Sequence, residues 1–458
     1  MTNRTAGFHL AERLRTLARR HAVPGAVAGI HYRGKVSEGA CGLANVNTGL
    51  AVTADTLFQI GSITKVYTAT LAMGLVDAGD LTLDTAIRRY LPDIEFADTT
   101  VSNEITLRHL LTHTSGLEGD VFIDCGRGDD AVARYVRALQ DLPLLYRPGE
   151  RLSYCNSGFV LIGHLIERLT GRPYHQALVE RLLRPMGLKQ TLLLPEEIML
   201  RRFAVGHLAD GDGAPCVAPL WSLPPALAPA GSLTCATVAD VLRFARLHME
   251  AGRDQSRQLL LSTSSARAMQ SPEVSTADRY TLGESRGLGW FVERWGAHSV
   301  LAHDGGTIGQ TSFLRMLPEE DLIVVLLTNG GDAQALYREL VGEIFRAYAG
   351  ISLPPAPQPT VEAERQPLQP YTGRYRRAHM TLEFRVRSGV LTMDATPDGP
   401  LAEWTTPQRG CPLLAIGPGE FLPAEGVEPR LAVVFAATEG TTADWVYIGG
   451  RAHRRCAE

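Results

Sequence analysis

The stretch FQIGSITKVYTA, residues 58–69, decides how this chain reads. It sets Ser62 three residues ahead of Lys65, inside what reads as the first turn of a helix. At i and i+3 on a helix two side chains share a face, so the Lys65 amine can reach the Ser62 hydroxyl. Position matters as much as spacing. The positive end of the helix dipole, together with burial, disfavours an ammonium and lets a lysine act as a base. The backbone N–H of Ser62, unpaired in a first helical turn, can bind a developing oxyanion.

Only three of the 45 Lys and Arg residues are lysines: Lys35, Lys65 and Lys189. Tyr32 and Met186 stand three positions before the other two, so Lys65 alone completes an S-x-x-K. A chain that otherwise chooses arginine keeps lysine where a proton must be given up, because arginine stays protonated. The spacing arises by chance about once or twice in a chain of this length, so it needs companions.

Two companions lie further on. In SYCNSG (153–158), Tyr154 and Asn156 are two apart in an extended segment just before a helix, so both side chains point one way. A phenol there can relay a proton and an amide can hold a substrate carbonyl, although Asn156 or Ser157 could also simply cap the helix. In AHDGGTIG (302–309), His303, Asp304, Gly305 and Gly306 close an apolar strand. Glycines there let a substrate lie along the strand edge, and a backbone N–H can complete an oxyanion hole; a plain hairpin turn is the competing reading.

Two other patterns carry less. GESRG (283–287) matches G-x-S-x-G and nominates Ser285, but that motif requires strand, sharp turn and helix, and the strand-like GLGWFVERW follows instead. HLLTH (109–113) gives His109 and His113 the i, i+4 spacing of a zinc pair, without the intervening Glu or a third ligand nearby. No phosphate loop or redox-cofactor motif is present, so no cofactor is expected.

Hydrophobic content of 45% and charged content of 21% describe an ordinary globular chain, and a net charge of −4 gives no footprint for nucleic acid or an anionic membrane. Seven scattered cysteines without a CxxC pair, and an N-terminus lacking an apolar run, point to the cytoplasm. Residues 8–21 read as an amphipathic helix and 25–42 as a hairpin turning at Arg33–Gly34. Helices are expected over 107–117 (closed by Gly116), 158–171, 172–187, 237–252 and 333–349, with strands between 287 and 330. Strands at both ends with helices between predict one sheet built from both ends of residues 1–350. Residues 351–370, including LPPAPQPTVEAERQPLQP, read as a linker, and 371–458 as a small antiparallel barrel or sandwich.

Together, S-x-x-K, Y-x-N and H-D-G, with LLTHTSGL and PAGSLTCATVADVLRF, resemble the serine β-lactamase and penicillin-binding-protein superfamily in its class C-like esterase and peptidase branch. The resemblance covers residues ~8–350. It implies an α/β (α+β) domain with an antiparallel sheet flanked by helices, followed by a lipocalin-like all-β domain. It also implies Ser62 as acylating nucleophile, Lys65 as its base, Tyr154 as proton relay and Asn156 as a substrate-orienting group. His303, at the first position of the third motif, is implied as a catalytic group and Asp304, Gly305 and Gly306 as substrate-binding ones, with the N–H groups of Ser62 and Gly306 as oxyanion hole. Classical β-lactamases have Lys at the position of His303, so β-lactam hydrolysis fits less well. The combination looks like the penicillin-binding-protein-type thioesterases, which release and head-to-tail cyclise nonribosomal peptides. A peptidyl thioester on a synthetase carrier domain is then the expected partner, and Arg451 a candidate substrate contact. A carboxylesterase, a D-stereospecific peptidase or amidase, and a non-catalytic penicillin-binding-like sensor stay open beside it.

Overall fold

The alternating apolar residues around Arg33–Gly34 fold as the expected hairpin, and the strands it supplies seed the main sheet. The computed structural model describes residues 8–98, 103–252, 260–399, 402, 406–424 and 430–456. The principal elements begin with α1 (Leu10–Arg20), β1 (Gly25–Tyr32), β2 (Lys35–Asn45) and α2 (Thr64–Asp77). The helical middle contributes α3 (Leu107–Leu111), α4 (Asn156–Thr170) and α5 (Val238–Met249). Then come β3 (Ser285–Arg286), β4 (Phe291–Trp295), β5 (His298–Thr307), β6 (Gln310–Leu317), β7 (Leu322–Thr328) and α6 (Ala333–Ala349).

Nine antiparallel strands form the sheet in the order Leu50–Ala51, β2, β1, β7, β6, β5, β4, β3, Val274–Ser275. β1 pairs with β7 from Ala26↔Thr328 to Tyr32↔Leu322, so the sheet is built from both ends, as expected. The reason β7 reads as an unbroken apolar run is that both its faces are covered. Leu322, Val324 and Leu326 pack with Leu14 and Leu17 of α1 and Leu340 and Ile344 of α6. Ile323, Val325 and Leu327 join Val66, Val241 and Phe244 on the other side. This second face carries the helical middle and, with it, the site.

The helix expected over 107–117 is shorter. Thr106 and His109 form a capping box at its start, but α3 ends at Leu111. Thr112 and Thr114 then bond locally and to Arg108, competing with the helix, and His113 turns the chain at φ 60°. Gly116 does not close α3; its φ of 77° lets the chain pass Tyr146, whose carbonyl would lie 2.1 Å from an added Cβ. The segment expected as a helix over 172–187 is Tyr174–Leu178 followed by a π turn, Val179–Leu183.

After the sheet domain, β8 (Gly373–Arg377), β9 (Met380–Arg387), β10 (Val390–Pro397), β11 (Gln408–Gly417), β12 (Glu420–Pro423), β13 (Val433–Ala436), β14 (Trp445–Ile448) and β15 (Arg451–Arg455) close into a barrel. Tyr375, Phe384, Phe421 and Phe435 fill it edge to face. The Pro-rich stretch is not a plain linker: Thr360 caps a short helix, Val361–Glu364, and Ala363 packs into the barrel core. Outside the barrel, Leu422, Val434, Trp445 and Tyr447 bury Tyr146 of the sheet domain. The β14–β15 turn is sewn down beside Tyr154: Tyr154 N–H donates to Gly450 O at 2.8 Å and Ala452 N–H to Ser153 Oγ at 3.0 Å. Among the described residues no helix is long and apolar enough to cross a membrane.

Candidate active site

Ser62 lies in a 3₁₀ turn, Gly61–Ile63, that runs straight into α2. Gly61 is required there. Its φ is 49°, and a Cβ on it would come within 2.7 Å of Gly306 N on β5. That close approach brings the turn carrying Ser62 against the strand carrying Gly306. A Cβ on Gly305 would strike Ile60 O at 2.0 Å, whereas one on Gly306 would meet nothing within 4 Å. Of the two glycines, then, Gly305 serves main-chain packing and Gly306 leaves the strand edge clear.

α2 is apolar all round and sinks into the helical core, carrying Lys65 to complete burial. Lys65 Nζ lies 2.9 Å from Ser62 Oγ and 2.7 Å from Ala230 O, with the ring of Tyr154 4.9 Å away. Its pKa falls well below the ordinary lysine value, chiefly by burial, with Arg451 and Arg286 adding to the fall and Asp120 opposing it. Burial thus disfavours the ammonium form and favours the lone pair that can accept the hydroxyl proton of Ser62.

Tyr154 is extended just before α4 and shares a hydrogen bond with Ser62. Its ring stacks on His113 at 4.5 Å, meets Phe291 edge-on at 6.4 Å, and is covered by the Arg451 guanidinium at 4.8 Å. Burial raises its pKa while the Ser62 hydrogen bond, Arg451 and Arg286 oppose the rise, so it is a phenol at neutral pH. The cap of α4 is Cys155, whose Sγ accepts from Gly158 N–H at 3.2 Å. Asn156 is thereby free of capping, and its Nδ2 donates to Asp120 Oδ1 at 3.0 Å.

His303 is fully buried against Phe291, ring to ring at 4.4 Å. Its Nδ1 lies 2.8 Å from Asp304 O, which assigns the proton to Nδ1 and leaves Nε2 without a partner. Burial, then Arg286 and Lys65, hold it well below the usual histidine value, so it is neutral. The Asp304 carboxylate is gripped by both terminal nitrogens of Arg315 and is not free for a substrate.

A cavity of about 380 Å³ joins these groups. Ser62, Tyr154, Asn156, Gly305, Gly306, Phe122, Leu227 and Phe291 line it, and Arg451 reaches in from the barrel. Arg451 donates through Nε to Asp120 Oδ2 at 3.0 Å, and Arg377 Nη2 lies 3.1 Å from the same oxygen. Asp120 is buried, which would raise its pKa, yet Arg451 and Arg377 bring it down to about 2. Beside it, Glu118 accepts from Arg377 Nη1 at 3.1 Å and from Ala378 N–H at 3.0 Å. Glu118, Asp120, Arg377 and Arg286 were not singled out from the sequence. The acidic pair in SGLEGDVF, set among apolar residues, was the available signal.

Neither weaker pattern forms the centre its spacing suggested. Ser285 sits on β3, the next-to-last strand of the sheet, paired with Val292 and Ser275 and with no helix following it as an elbow requires. His109 caps α3 while His113 faces Tyr154 and accepts from Cys155 N–H at 3.0 Å, so the two imidazoles have different partners.

A family model described as Beta-lactamase matches residues 10–346. The chain belongs to the beta-lactamase family. Penicillin-binding protein 4 of Amycolatopsis lactamdurans is 39% identical over 370 residues, 81% of this chain and 97% of its own. SurE, which has also been crystallised with D-Leu, is similar over 99% of both chains, with a TM-score of 0.79 and 26% identity. The D-amino acid amidase from Ochrobactrum anthropi SV3 matches 74% of this chain and 97% of its own, at TM-score 0.63 and 25% identity. Membership of the beta-lactamase family makes the chain a serine hydrolase by kind.

Proposed function

We propose that this serine hydrolase transfers a peptidyl acyl group from a thioester to Ser62, and then to the peptide's own N-terminal amine, closing the peptide head to tail. The observation that carries the acyl-transfer part is the buried Lys65 amine, 2.9 Å from Ser62 Oγ. Ser62 Oγ attacks the thioester carbonyl and passes its proton to Lys65 Nζ. The oxyanion is held by the N–H groups of Ser62 and Gly306. As the C–S bond breaks, Tyr154 gives its proton to the leaving thiolate and takes one back from Lys65. The peptide amine then attacks the Ser62 ester, losing a proton to the same pair as Ser62 Oγ regains its own. Asn156 and Arg451 orient the acyl chain, and the buried His303 supports Phe291 and the strand edge.

The choice of a peptide ending in a D-residue is supported by likeness to SurE, crystallised with D-Leu, over the whole chain, barrel included. A wall supplied by the barrel suits a reaction from which water must be kept. The natural donor is proposed to be a peptidyl thioester on a synthetase carrier domain. Likeness to the D-amino acid amidase favours one second reading, hydrolysis of D-configured amides.

A linear peptidyl thioester with a D-residue at its C-terminus tests the proposal. The expected product has the mass of the linear acid less one water, and the Ser62→Ala variant forms neither product nor covalent adduct. Linear acid alone would support the amidase or a carboxylesterase reading and overturn the cyclase.

A further inference from the structure

The G-x-S-x-G pattern that nominated Ser285 holds a stranger residue in the next position. Arg286 is fully buried, and none of its three guanidinium nitrogens has a hydrogen-bond partner among the described residues. Its Cζ stacks 3.8 Å from the Phe291 ring centroid, the residue opposite it in the β3–β4 register. A buried cation without an anion is strongly unfavourable, and a cation–π contact offsets only part of the cost. Such a group is kept where its charge is used.

Its neighbours show where the charge falls. Phe291 is the partition between Arg286 and the site, with its ring 4.4 Å from His303 and edge-on to Tyr154. We propose that Arg286 is a positioning residue for acylation, a fixed positive charge, unpaired among the described residues, that lies behind Phe291 and disfavours a second cation beside Ser62. This rests on the reading of Lys65 as the base.

The groups facing Lys65 support the assignment. Ser62 stands on its own segment, Tyr154 and Cys155 before α4, His113 and Asp120 on the loop after α3, His303 on β5, Arg286 on β3 and Arg451 on the barrel. Of the two arginines that lower Lys65, Arg451 is bonded to Asp120, which acts in the opposite sense. Among the described residues Arg286 has no such counter-charge. Burial brings Arg286 itself down to about 9, so it remains a cation at neutral pH. The same charge bears on His113, His303 and Tyr154, favouring neutral imidazoles and a more acidic phenol.

The three lysines make a direct test practical, because Lys35 and Lys189 are exposed and serve as internal references. The full chain labelled with ¹³Cε-lysine is titrated by NMR as wild type, Arg286→Met and Arg286→Gln. In the wild type the Lys65 midpoint lies well below the ordinary lysine value. In both variants its midpoint rises by about one pH unit or more, as loss of a nearby like charge requires. The acid limb of Ser62 acylation by the peptidyl thioester moves with it. The Met variant melts no lower than the wild type, since a buried unpaired charge is replaced by an apolar group. A low wild-type midpoint that neither variant moves overturns the role of Arg286 and leaves the base reading standing. A wild-type Lys65 that titrates with Lys35 and Lys189 overturns both. Failure of both variants to fold makes Arg286 a structural residue and also overturns the proposal.

Discussion

Two clusters of buried charge meet at this site, and they are built on opposite rules. At the barrel seam, Glu118, Asp120, Arg377 and Arg451 form a matched set in which each carboxylate meets a guanidinium and further N–H donors. Behind Ser62, the set is Lys65, Arg286, His113 and His303, and none of them hydrogen-bonds to a carboxylate among the described residues. Pairing fixes geometry: the seam holds Arg451 over Tyr154 and turns Asn156 into the cavity. Leaving the basic groups unpaired disfavours a further charge among them, which leaves Lys65 the lone pair a base needs. The seam is built to hold, and the set behind Ser62 to react.

The sharpest break of that contrast puts a permanent charge where a base is required. Lys65→Arg keeps a long basic side chain but cannot offer a lone pair. Acylation of Ser62, followed by intact-protein mass, should fall on the order of 10³-fold or more, the upper part of the range for losing a general base. A variant retaining a tenth of the wild-type rate would show that Lys65 acts through charge alone. Breaking the seam instead should act on stability. Arg377→Met leaves Glu118 and one side of Asp120 without their cation, costing about 3 kcal/mol in denaturant unfolding, the usual penalty for halving a buried pair. The Arg451–Asp120 contact survives in it, so acylation should stay within a few-fold. A rate loss larger than the stability loss would erase the distinction between the two clusters.

The reactive cluster was largely legible in the sequence and the seam was not, for a physical reason. Ser62 with Lys65, and Tyr154 with Asn156, are joined by helical or strand geometry over a few residues, so spacing reports them. Glu118 and Arg377 are 259 residues apart, and Asp120 and Arg451 are 331 apart, so only the tertiary fold makes them neighbours. Arg451 entered as a candidate substrate contact without its carboxylate. Arg286 was invisible because an arginine in an Arg-rich chain gives no sign that it is buried. The sheet was legible from strands at both ends, whereas the length of α3 was not. Thr112 and His113 end that helix through local hydrogen bonds and a positive φ that hydrophobic periodicity does not register.

Acid provides the gentlest test of the seam. Asp120 titrates at about 2 in the folded chain, against 3.8 for an unperturbed carboxyl. The unfolded state therefore binds its proton first as pH falls. The stability Asp120 contributes is full above pH ~4 and disappears as pH drops toward 2, amounting to about 2 kcal/mol. Asp84, Asp394 and Asp444 are also held below their ordinary values and add to the acid slope, so the comparison must be made against Asp120→Asn. Urea unfolding at steps from pH 5 to pH 2.5 should show the wild type losing stability faster than the variant, with the two curves converging at the acid end. Parallel curves would mean that Asp120 carries no excess charge interaction when folded. The seam would then owe its strength to Glu118 and Arg377 alone, and the orientation of Arg451 over Tyr154 would need a different support.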